Sequence, residues 1–80
     1  MRVKLLGRVW NLRFAPNLAN RGDCDSPDIP KKEIRVLSTI AGEERLEALV
    51  HEMVHAGWHL DESFVERFAR DAARALWRMW

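Results

Sequence analysis

The sequence predicts a small α+β domain, with an antiparallel or mixed sheet of two or three strands packed on two helices. Three observations lead there. The chain has 80 residues, which suits one domain, 1–80. Two short stretches in its first half alternate apolar and polar residues, the period of a strand with one buried face. Two longer stretches in its second half repeat apolar residues at helical spacing.

The first alternating stretch is 8–14, where Trp10, Leu12 and Phe14 point one way and Val9, Asn11 and Arg13 the other. Residues 2–6 either begin this strand or pair with it through Gly7, and Pro16 ends the pattern. Residues 16–32 read as a loop, being rich in Pro, Asn, Asp and Gly. Residues 33–38 alternate again, with Ile34 and Val36 on one side. A first helix is expected from Gly42 to Gly57, with Glu43 and Glu44 at its positive end and Leu46, Leu49, Val50 and Met53 as its apolar stripe. A second starts near Asp61 and runs to the chain end, with Phe64, Phe68, Ala72, Leu76 and Met79 as its core stripe.

A domain this small is often marginal, and a metal, a partner chain or a disulfide is the usual supplement to its core. An internal disulfide is excluded, because Cys24 is the one cysteine. That usage fits a reducing compartment, and no stretch has the continuous apolar character of a secretory signal or a membrane span, so a cytoplasmic protein is expected. The net charge of +1 selects no partner. Arg2, Lys4, Arg8, Arg13 and Arg21 precede the first acid, Asp23, but this strip reads as the solvated face of an edge strand, and nucleic acid is not the expected partner. Trp58, Trp77 and Trp80 are anchors suited to a partner or to a homo-oligomer, or else caps on the core.

The chemistry concentrates on the first helix. His51 and His55 are four residues apart, so their imidazoles lie on one face and on adjacent turns, where both can bind one ion. Nitrogen ligands suit Zn2+, which becomes the expected cofactor. Glu52, between them, is a candidate general base that accepts a proton from a water acidified by the cation. The third ligand is sought among His59, Asp61, Glu62 and Glu66. Asp61 also suits the N-cap of the second helix. Glu62 and Glu66 form a like-charged pair at i, i+4, a penalty that a nearby cation removes. Glu62 is favoured as the ligand, with Glu66 either accepting from a ligand histidine or pairing with Arg70.

These residues, His51-Glu-Met-Val-His55 followed by Glu62-Ser-Phe-Val-Glu66-Arg-Phe-Ala69, resemble the zincin metallopeptidases of gluzincin type. The later segment is similar to one found in the ImmA/IrrE-like peptidases of bacteria and mobile elements, and the whole looks like the very small His-Glu-x-x-His proteins of bacteria and phages. The resemblance implies a minimal zincin-like domain, zinc held by His51, His55 and Glu62, Glu52 as general base, and peptide-bond hydrolysis of a peptide or protein substrate. The run from His55 to Asp61 also resembles the metzincin pattern, which implies Asp61 as third ligand. Many zincins stabilise the oxyanion with a Tyr or His; this chain has no tyrosine, leaving His59, then Arg35 or Arg67, to serve. Without that donor, a zinc-stabilised binding module lacking catalysis is the alternative. Cys24 lies in a segment faintly similar to the inhibitory cysteine segment of some metzincin propeptides. A substrate strand is expected to add to the sheet at residues 34–38.

Overall fold

Alternation around Gly7 produces a hairpin rather than one long strand. In the computed structural model, which describes residues 1–58 and 61–79, β1 (Arg2–Leu5) pairs antiparallel with β2 (Arg8–Ala15). Leu6 and Gly7 form the two-residue turn with φ of 49° and 82°, the left-handed pair that matches strand twist. β3 (Gly22–Cys24) and β4 (Glu33–Leu37) complete a four-stranded sheet in the order β1-β2-β4-β3. The sheet is followed by α1 (Gly42–Gly57) and α2 (Glu62–Met79).

The sheet therefore has one strand more than expected, and β3 lies inside the stretch read as a loop. Its role explains the topology. β2 and β4 are parallel, and parallel neighbours need a long connection. β3 supplies it, running back antiparallel to β4 at the outer edge so that the chain re-enters between β2 and β3. β4 is thus an inner strand with both edges paired, and the expectation that a substrate strand adds to residues 34–38 is corrected: the free edge on that side belongs to β3.

α1 covers one face of the sheet. Trp10, Leu12, Ile34 and Val36 pack there against Ala48 and Ala56, with Val3, Leu5, Leu49 and Met53 at the margin. On the opposite face Arg35 reaches three carboxylates, Asp23 at 2.5 Å, Asp25 at 2.7 Å and Glu33 at 3.0 Å. This cluster ties β3 to β4 across a register that pairs Asp23 with Arg35. Arg45 fastens the entry to α1, donating to the Ser38 and Ile40 carbonyls and stacking on Phe14.

α2 packs on α1 and on no strand. Its buried residues are Val65, Ala69 and Ala73, and Phe64, Phe68, Leu76 and Met79 are exposed, which corrects the expected core stripe. Small side chains let two helices approach closely, so the row of Val and Ala takes the contact and the bulky row turns to the flank. α1 is likewise buried through Ala48, Glu52, Val54 and Ala56 rather than through the larger apolar residues of the expected stripe, because it is sandwiched between the sheet and α2. No helix among the described residues is long and apolar enough to cross a membrane.

Candidate metal centre

The α1–α2 hairpin brings the predicted ligands together. His51 and His55 project from adjacent turns of α1, and Glu62 stands in the first turn of α2 opposite them. The start of α2 is set by Asp61, whose side chain accepts from the backbone N–H groups of Ser63 and Phe64 and from the Ser63 hydroxyl. Those bonds hold the Asp61 carboxyl below its usual range. Asp61 is thereby a helix cap and does not join the cluster of donor atoms. His59, the other alternative ligand and oxyanion candidate, lies outside the described residues, as does Trp80.

The geometry of the three donors is informative. Nε2 of His51 and Nε2 of His55 are 3.1 Å apart. One Glu62 oxygen is 3.1 Å from His51 Nε2 and the other is 2.7 Å from His55 Nε2. Two imidazole nitrogens and a carboxylate brought this close together can share a cation or, with a proton on each Nε2, can hydrogen-bond as two N–H groups to the two Glu62 oxygens. Zinc bound at ~2.0–2.2 Å in tetrahedral geometry separates its ligand atoms by about 3.3 Å, close to the spacing seen, and all three donors lie within 4.8 Å of one another. The residues present fit the ion.

Glu52 is placed differently. It points between α1 and β3 and is 8% exposed, the one buried charged residue of the described chain. Its Oε2 is 4.0 Å from His51 Nε2, close to the donor cluster but outside it. Burial pushes its carboxyl up to about 7. Gly22 makes room for it: a Cβ built there would stand 2.9 Å from Glu52 Cγ and 2.9 Å from the Arg35 carbonyl oxygen. Sequence reasoning missed this glycine, since the signal, Arg-Gly-Asp in a polar stretch, reads equally as a turn.

The four residues line a cleft of about 780 Å³ between β3 and the helix pair. Cys24 lies in its wall, and burial, with the nearby Glu52 carboxylate, pushes its thiol up to about 11, so it is a neutral thiol at pH 7. Glu66 also lines the cleft, but among the described residues it neither accepts a hydrogen bond from a ligand histidine nor pairs with Arg70, so neither expected role is seen. Arg35 is consumed on the far face of the sheet, and Arg67 does not line the cleft; both are thereby displaced as oxyanion donors. Arg21 does line it, immediately before β3 begins. On the free edge, the antiparallel register turns the backbone groups of Gly22 and Cys24 outward, because Arg21, Asp23 and Asp25 occupy the positions bonded to β4. Comparison of the chain with protein-family models, with curated proteins and with solved structures finds no match, so these side chains and their spacing carry the functional argument by themselves.

Proposed function

We propose that this chain is a zinc-dependent peptidase in which His51, His55 and Glu62 hold the metal and Glu52 is the general base. The observation that carries the reading is the convergence of two imidazole nitrogens and a carboxylate beside a second, buried carboxylate kept out of the ligand set. Zinc, when bound, acidifies a water and polarises a carbonyl. Glu52, buried beside the donor cluster, is suited to accept a proton at its Oε2 and hand it to a leaving amine. Gly22 and Cys24 offer free backbone groups to which an extended peptide can add as a further strand, laying it along the cleft. The lone Cys24 and the absence of any membrane-crossing helix among the described residues fit action in the cytoplasm.

The test uses the zinc-loaded protein and an unfolded polypeptide such as reduced casein. Glu52→Gln is expected to keep stoichiometric zinc and to lose cleavage by about 10²-fold or more. Cleavage that survives the substitution sinks the assignment of the base.

A second reading, a zinc-stabilised interaction module without catalysis, is favoured by one observation. Phe64 and Phe68, stacked 6.3 Å apart, lie exposed on α2 with Leu76, Trp77 and Met79, more apolar surface than one helix of a small monomer usually leaves uncovered. A zinc-loaded protein that cleaves nothing and sediments as a tight dimer is the outcome that favours this reading over the first.

A further inference from the structure

Arg21 is the one Lys or Arg side chain lining the cleft among the described residues; the other charged groups there are carboxylates and the two histidines. Its backbone is fixed, because its carbonyl accepts from Leu37 N–H at 2.8 Å as β3 begins. Its head is lightly held. The guanidinium makes a single contact, Nη2 to Glu47 Oε2 at 3.4 Å, and the side chain is 45% exposed. A guanidinium has five N–H donors in a planar fork, and most of these remain available.

Its position relative to the metal follows from α1. Glu47, His51 and His55 succeed one another at four-residue intervals and form one stripe along the cleft. The metal donors centre on the level of Met53, six residues beyond Glu47, or ~9 Å along the axis. An extended peptide advances ~3.3 Å per residue. A carbonyl at the metal and a group at Arg21 are therefore about three residues apart. The planar fork of a lightly paired guanidinium suits bidentate recognition of a carboxylate such as a peptide's terminus.

We infer that Arg21 is a specificity residue that receives the terminal carboxylate of a peptide, so that the cleft takes short carboxyl-terminal segments about three residues beyond the bond presented to the metal. This rests on the metal reading above and adds the substrate class to it. Arg21 also reaches Glu47, so Glu47 competes with the ligand for the guanidinium.

The test needs no turnover. Calorimetry on the zinc-loaded protein compares N-mercaptoacetyl-leucyl-leucine, with a thiol for the metal and a free carboxylate, with its carboxamide. The acid is expected to bind roughly ten- to hundred-fold more tightly than the amide. Arg21→Met is expected to erase that preference while retaining zinc, and Glu47→Gln to increase it. Equal affinity for acid and amide in the parent protein, or a preference unchanged in Arg21→Met, overturns the assignment and shows Arg21 to be only a strut between β3 and α1. Failure of the parent protein to bind zinc in the same titration is a separate result and overturns the metal reading on which this one stands.

Discussion

Replacing Gly22 with alanine probes the contact on which the placement of Glu52 depends. The added Cβ would lie 2.9 Å from Glu52 Cγ and 2.9 Å from the backbone oxygen of Arg35. Ordinary carbon contacts begin near 3.4 Å, so each neighbour must give by about 0.5 Å. The Arg35 oxygen belongs to the β4 backbone, an inner strand paired on both sides, and yields little. Most of the movement falls on the Glu52 side chain. Overpacking of this kind costs about 1–3 kcal/mol. Gly22 does not have a left-handed φ, so alanine suffers no backbone penalty and recovers about 0.4–1 kcal/mol by restricting the unfolded chain. The net loss is about 1–2 kcal/mol, which for a domain of this size lowers the melting temperature by about 4–16 °C. The same displacement moves the base from its working position, for which a loss of roughly ten- to hundred-fold in cleavage is expected. Zinc affinity should change little, because the contacts made by the new methyl group are with none of the three ligands. Thermal unfolding followed by circular dichroism, zinc titration and a casein assay read the three effects separately. A Gly22→Ala protein melting within about 2 °C of the parent and cleaving as fast refutes the reasoning.

Two further outcomes follow from the same geometry. Glu52 has a folded pKa raised from 4.5 to about 7 by burial, so its ionisation opposes folding. The penalty is absent below about pH 4.5, grows as pH rises, and is complete above about pH 7, where it amounts to about 3 kcal/mol. In metal-free protein unfolded with urea, the stability of Glu52→Gln relative to the parent should therefore rise by about that amount between pH 4.5 and pH 8, and a difference independent of pH counts against a buried, proton-holding Glu52. Asp61→Ala should cost about 1 kcal/mol of stability through the lost cap and leave zinc affinity intact. Glu62→Ala should instead weaken zinc by more than the about 10–100-fold typical of lost outer-shell partners. The opposite pattern in zinc titrations makes Asp61 the ligand.

Several features are decided by local chemistry and were legible in the chain. Alternation at Trp10 and Leu12, and at Ile34 and Val36, requires strands with one buried face, and both pairs are in the core. The spacing of His51 and His55 places two imidazoles on one face of any helix, whatever surrounds it. Asp61 before Ser63 and Phe64 is a cap in any context that permits α2. Other features depend on what the folded chain sets side by side. β3 is three residues of Gly, Asp and Cys, none with a marked strand preference, and it exists because the β4 edge and the Arg35 carboxylate cluster receive it. The apolar face of α2 is broad enough to offer two rows, and only the proximity of α1 selects the row of Val65, Ala69 and Ala73 over the bulkier one. Glu62 meets the histidines because the two helices fold back on each other, a tertiary fact with no local signature. The burial of Glu52 beneath Gly22, and the arrival of Arg21 at the cleft, join residues about thirty apart along the chain. Periodicity and capping act within a turn or two of the backbone and are therefore written in the sequence. The proton affinity of a carboxylate and the company of a guanidinium depend on distances across the fold, which only the packed structure determines.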